Sequence, residues 1–254
     1  SIRTELQRAT EEIEQMKGRL HGQVSIAMSA ASSLALLPKA MAAFRKRYPD
    51  AVIKVVEGMF QVAEQDVLDG CLDFYVGPID PDVSRVRLLV EELYVNQRVV
   101  IARKGHPLAK ARRLAELKDA KWLRPTLGAR STEADFGAML RELGLPDANI
   151  VVHGATNWVA LPLLANSDLL SVAPESMVEF GMLSGMLEAI RLEEKLPGVT
   201  ISIVRRHDMP LTPMAEHLCD QIQKAGLAYS REKPGRALEP RSAGATRNLE
   251  SSTR

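Results

Sequence analysis

Between residues 23 and 77 the chain alternates short β-branched runs with amphipathic stretches, and that alternation constrains the fold more than any other feature. Residues 23–29 (Gln-Val-Ser-Ile-Ala-Met-Ser) read as a strand. Ser29 to Ser33 supply N-cap candidates for a helix over 34–48, and Pro49-Asp50 makes a turn. A strand over 51–57, a helix over 61–69 stopped by Gly70 and a strand over 72–77 complete a βαβαβ order. Such an order predicts a parallel sheet with right-handed crossovers. Two strand-like runs around Asn96, within residues 86–102, follow it.

The second half repeats the theme. Strands are predicted over 121–124, 150–153, 169–173 and 199–204. Helices are predicted over 132–143 and 157–165, a short one opening at Pro174, and a last one over 213–224. The economical architecture is α/β, with two doubly wound Rossmann-like lobes side by side. The expected division is 19–94 with 198–228 for lobe I, and 95–197 for lobe II.

Both ends of the chain differ from this body. At the start, Ile2, Leu6, Ala9, Ile13 and Met16 fall at spacings of 4, 3, 4 and 3, a heptad seam ended by Gly18. Residues 1–18 are thus either a helix lying on its own domain or a linker helix pairing between subunits. The seam runs to the first residue, as expected of a helix cut from a longer one. Residues 229–254 hold six basic and three acidic residues and little apolar content, so a flexible tail is expected there.

Composition excludes several function classes. Lys+Arg minus Asp+Glu is 33 − 32 = +1, so there is no global basic field for nucleic acid. Two cysteines, Cys71 and Cys219, make neither a disulfide framework nor a zinc pattern, which fits a reducing cytoplasm. No apolar run approaches the roughly 18 residues of a membrane span, and the charged start is not a secretory signal. There is no nucleophile elbow, phosphate-binding glycine loop or paired-histidine helix. The five histidines are scattered, and His217 and Cys219 would point to different helix faces. No catalytic residue, metal or cofactor is expected.

The informative positions are helix starts after strands, where open parallel sheets collect ligands. Ser29 to Ser33 lies at one such end, Thr126 to Thr132 at the corresponding end of the second half, and Val172-Ala173-Pro174 at a third. Free amides and hydroxyls there suit an anion, and Arg130 adds a bidentate partner. Alternatively, these hydroxyls simply cap helices.

At this point the chain resembles the effector-binding part of a LysR-type transcriptional regulator, over residues 1 to about 227. The resemblance rests on several pieces in order. The polar heptad helix ending at Gly18 is followed by Gly22-Gln23-Val24-Ser25-Ile26 leading into Leu36-Leu37-Pro38. Residues 42–50 (Ala-Ala-Phe-Arg-Lys-Arg-Tyr-Pro-Asp) and 68–74 (Leu-Asp-Gly-Cys-Leu-Asp-Phe) come next. His106-Pro107-Leu108-Ala109, Leu114-Ala115-Glu116-Leu117 and residues 169–174 (Leu-Leu-Ser-Val-Ala-Pro) complete the series. Residues 205–210, with Glu57-Gly58-Met59, are similar to a branch containing an aryl-sulfonate-responsive regulator.

The resemblance implies periplasmic-binding-protein-like (type 2) lobes preceded by a linker helix, with a small-molecule site between them. It implies a homodimer or homotetramer in the cytoplasm, and promoter DNA bound only through a winged helix-turn-helix, absent from this chain, before the linker. The ligand-contacting positions it implies are Ser29, Ala30 and Ser32; Phe60 or Gln61; Thr126, Arg130 and Ser131; and Val172 with Pro174. The expected effector is a small organic anion, aromatic carboxylates and sulfonates included. A solute-binding transport protein is the alternative with the same lobes.

Overall fold

A computed structural model describes residues 22–80, 82–125, 144, 149–154, 156–232 and 235–238 of the 254. The strand β1 (Gln23–Met28) buries Val24, Ile26 and Met28 on one face. It runs directly into α1 (Ala30–Phe44), whose N-cap is Ser29. The Ser29 Oγ accepts from the Ser32 amide at 3.3 Å, satisfying one of the orphan donors of the first turn. The helix therefore starts four residues before the predicted 34. It stops at Phe44 rather than Tyr48, where the chain turns through Arg45 to Arg47.

The strand β2 (Val52–Glu57), the helix α2 (Phe60–Leu68) and the strand β3 (Phe74–Gly77) complete the first βαβαβ unit. Its three strands are parallel, as their order requires. Two strands then cross between sheets. The strand β4 (Leu88–Asn96) closes the first sheet, and β5 (Arg98–Arg103) follows with only Gln97 between them. A short 3-10 turn (Leu114–Leu117) leads to β6 (Lys121–Pro125). The second unit continues with β7 (Ile150–Gly154), α3 (Asn157–Ala165) and β8 (Leu169–Pro174). Two short helices, α4 (Glu175–Glu179) and α5 (Gly181–Ser184), precede β9 (Leu187–Ile190). The chain returns through β10 (Val199–Arg206) into the long helix α6 (Pro213–Glu232).

The two sheets have the orders β2-β1-β3-β10-β4 and β7-β6-β8-β5-β9. Neither is wholly parallel, which corrects the parallel expectation. The strand β10 is antiparallel to β3 and β4, and β5 is antiparallel to β8 and β9. The reason is the double crossing: each inserted strand enters its sheet from the neighbouring lobe, and so from the opposite end. The strand pattern contains no direction, so periodicity could not have revealed this.

Helices α1 and α6 cover one face of the first sheet, with Leu36, Phe44, Leu218 and Ile222 in its main core. The other face packs on α2 through Phe60 and Val67. The second lobe has its own core around Trp122 and Leu170. Leu34 of α1 reaches into another second-lobe cluster, around Leu123 and Met177, so α1 belongs to both lobes.

The predicted tail begins too early. The helix α6 continues to Glu232 with Tyr229 5% exposed, and Arg236 is 1% exposed. A compositional average over 26 residues conceals one arginine with partners far away in sequence. The heptad residues Ile2, Leu6, Ala9, Ile13 and Met16 lie outside the described residues.

His217 on α6 stands 5.9 Å from the Phe44 ring and 5.5 Å from the Tyr48 ring. Burial, followed by the charge of Arg47, holds its imidazole below the ordinary 6.5, and Asp220 only partly opposes this. The native state thus binds fewer protons than the unfolded chain in that window. Its contribution is complete above pH 6.5 and is lost as pH falls through the folded value. Thermal melts between neutral and mildly acidic pH should show this decline, and His217→Gln should flatten it.

Candidate functional site

The carboxyl edge of the first sheet ends where α1 begins. The Ser29 amide donates to the Val76 carbonyl at 2.9 Å, and the Gly58 amide donates to the Met28 carbonyl at 3.0 Å. These bonds fix the first turn of α1 beside the ends of β1, β2 and β3. Helix amino ends carry unpaired donors and a partial positive charge. The Ser32 amide is taken by the Ser29 hydroxyl, while the amides of Ala30 and Ala31 make no hydrogen bond within the described residues.

Facing this turn is a cleft of about 350 Å³ between the lobes. Its lobe I wall is Ala30, Ser33 and Leu34 of α1 with Glu57 at the end of β2. The opposite wall comes from α3, α4 and α5, including Trp158, Leu161, Met177 and Phe180. The lining is predominantly apolar, which suits a ligand with a hydrocarbon body and few polar groups. Trp158 is 78% exposed, an unusual state for the largest apolar side chain. Its helix α3 starts at Thr156, whose Oγ1 accepts from the Val159 amide at 3.3 Å.

The sequence-predicted positions divide into four groups. Ala30 lines the cleft. Ser29 and Ser32 are directly behind it, both buried, their hydroxyls sharing a hydrogen bond of 2.8 Å. Phe60, Gln61, Val172 and Pro174 lie away from the cleft lining. Phe60 is buried with its ring 5.2 Å from that of Tyr75, and Gln61 donates to Asp80. Val172 is in the second-lobe core, and Pro174 pairs with Arg98 and caps α4. Thr126, Arg130 and Ser131 lie outside the described residues.

Sequence reading missed Trp158, Met177 and Phe180. The signal for Trp158 was an apolar helix with no polar face, which ordinarily means complete burial. Here the tryptophan is left exposed on the cleft lining. Among the described residues no group of three or more His, Cys, Asp or Glu gathers as metal ligands, and no helix is long and apolar enough to cross a membrane.

Comparison with known proteins agrees with this fold. The HTH-type transcriptional regulator GbpR of Azospirillum brasilense is 25% identical over 242 residues, covering 94% of this chain and 69% of its own. The chain spans about half to two thirds of the length of the curated relatives it matches. The BenM effector-binding domain with its effector benzoate superposes with a TM-score of 0.66 at 20% identity, covering 86% of this chain and 98% of that one. The effector-binding domain of QuiR in complex with shikimate gives a TM-score of 0.66 at 14% identity, covering 81% of this chain and 97% of that one. The fold is thus the two-lobed, periplasmic-binding-protein type 2 arrangement of LysR effector-binding domains. GbpR is named a regulator, and the comparisons lend no support to the transport alternative. Residues 17–226 match the family described as LysR substrate binding domain, and the chain belongs to that family.

Proposed function

We propose that this chain is the ligand-sensing part of a LysR-type regulator and binds a small organic anion between its lobes. The observation that carries the reading is the amino end of α1, a helix of 15 residues, facing an apolar interlobe cleft. Its Ala30 and Ala31 amides would receive a carboxylate or sulfonate, and Trp158 and Phe180 would pack against an aromatic or alicyclic body. Benzoate and shikimate, bound by the two structural neighbours, have this amphiphilic character. Glu57 lies on the same wall as Ala30, so its charge opposes an acid group on that side of the helix end.

Binding shifts the arrangement of the lobes only by its differential affinity for the two states, typically about 1–3 kcal/mol of coupling. That shift would pass through a homodimer or homotetramer to winged helix-turn-helix domains on promoter DNA, in the cytoplasm. The exposed valines of the edge strand β2 (Val52, Val55 and Val56) and Val151 on the opposite edge strand β7 support contact between copies.

Melting in the presence of benzoate, an arylsulfonate and a neutral isostere such as benzamide tests the ligand class. A native-state ligand at a hundred times its Kd stabilises by about 2.7 kcal/mol. The acids should raise the melting temperature and the amide should not. Equal shifts for acid and amide would remove the anion from the proposal. No shift with any carboxylate or sulfonate at millimolar concentration would count heavily against the site.

A further inference from the structure

Arg236 is almost completely buried beyond the end of α6, in a stretch whose composition predicts none of this. Its guanidinium Nη2 donates to both carboxylate oxygens of Glu179 at 2.7 Å and to Glu175 Oε2 at 3.1 Å. Glu175 and Glu179 are one turn apart on α4, so both carboxylates face the same way. The guanidinium carbon lies 3.9 Å from the centroid of the Tyr229 ring, a cation–π distance. The Tyr229 hydroxyl in turn donates to Glu179 at 3.1 Å. The socket is therefore two-sided: its acids belong to the second lobe and its aromatic wall to α6 of the first.

The backbone of the same segment is bound to the crossing strand. The Val95 amide donates to the Arg236 carbonyl at 2.9 Å, and the Gln97 side chain donates to the Gly235 carbonyl. The Gln97 carbonyl accepts from the Glu175 amide at 2.8 Å, joining the crossing point to the start of α4. Gly235 has φ +89°, a conformation that favours glycine and lets the chain turn back onto the crossing strand. Lobe I, crossing point and lobe II are thus all attached to two consecutive residues.

We propose that Gly235 and Arg236 form an intramolecular latch, in which a guanidinium-specific socket of Glu175, Glu179 and Tyr229 holds the two lobes in one relative arrangement. The hydrogen bonds to the two acids run through Nη2 alone, and it is the flat guanidinium held over the Tyr229 ring that a lysine cannot reproduce. Removing the cation takes an arginine from both carboxylates, and although Arg191 still pairs with Glu175 at 3.2 Å, two like charges one turn apart lose their shared counterion, which is unfavourable. The lobes then separate to hydrate them. The inference concerns the free protein and stands apart from the effector reading.

Cysteine chemistry provides the test. Cys71, in lobe I, is exposed, whereas Cys219 is buried with its thiol pushed up to about 12 by burial. Spin labels at Cys71 and at Lys118→Cys, an exposed second-lobe position, report the interlobe distance in the full chain. The parent protein should give one narrow distribution. Arg236→Ala should broaden it or add a longer distance, and Arg236→Lys should do nearly the same. Guanidinium chloride at millimolar, non-denaturing concentration should restore the narrow distribution in Arg236→Ala. A folded Arg236→Ala with the parent distribution overturns the latch. So does a broadening that guanidinium leaves unchanged, which would assign the change to lost packing. If Arg236→Ala does not fold, Glu179→Gln is read by the same criterion, with the parent distribution again the overturning result.

Discussion

Replacing Ala30 with glutamate weakens binding of benzoate or a comparable acid by about a hundredfold, equivalent to about 2.7 kcal/mol. Ala30 is in the first turn of α1 and lines the cleft, and that turn holds no acidic residue. A carboxylate there is the same charge as the proposed ligand, and it competes for the same amides. Like charges brought together at a binding surface cost several kcal/mol. The free protein should respond in the opposite direction. A negative charge at a helix amino end stabilises it by about 0.3–1 kcal/mol, so the unliganded melting temperature should hold or rise slightly. Titration calorimetry beside thermal melts separates the two effects. Ala30→Gln controls for bulk, and its loss should be clearly smaller. Equal losses for Glu and Gln would mean that the turn is merely crowded, and undiminished affinity in Ala30→Glu would place the ligand elsewhere.

That test falls on a residue the sequence pointed to, and the reason is instructive. Ser29 to Ser33 follows a clear strand, and a run of serines there can do little except cap a helix or hold a ligand. The structure uses Ser29 as the cap and buries Ser32, leaving Ala30 and Ser33 on the cleft. Side-chain chemistry therefore located the turn, and of its three named members Ala30 lines the cleft while Ser29 and Ser32 are buried behind it. Phe60 shows the same limit from another direction. It starts the second helix, yet its ring is spent against Tyr75 in the core. Which face a helix start presents depends on tertiary packing, and one sequence has little record of it.

The strand order shows where local pattern ends altogether. Each of β1 to β3 was legible from β-branched runs between turn residues. The lobe I membership of residues 198–228 was expected, but the place of β10 between β3 and β4 and its antiparallel direction were not, since Ser202 pairs with Gly77 at a sequence separation of 125 residues (202 − 77). Arg236 is the same case in electrostatic form. Its partners Glu175 and Glu179 are 61 and 57 residues away, and nothing local distinguishes it from the surrounding basic residues. Long-range pairings of this kind define how the lobes are joined.

Phe44→Ala should damage the fold severely. The Phe44 ring is fully buried in the last turn of α1 and stacks on Tyr48 with centroids 5.3 Å apart. Truncating such a ring removes its transfer energy and leaves a cavity, at a cost of about 3–5 kcal/mol. Native domains possess only about 5–15 kcal/mol in total. For 150–250 residues each kcal/mol lowers the melting temperature by about 2–4 °C, so a fall of roughly 6–20 °C is expected. Met182→Ala, at a position 64% exposed, should change stability by no more than about 0.5 kcal/mol. The damage extends to function because α1 joins the lobe I core, through Leu36 and Phe44, to the second-lobe cluster, through Leu34. A ligand that binds only the native cleft should therefore recover part of the loss, about 2.7 kcal/mol at a hundred times its Kd. Recovery by benzoate in Phe44→Ala, with none in the double variant Phe44→Ala/Ala30→Glu, would tie the core of lobe I to the cleft through this one helix. Equal recovery in both would separate them.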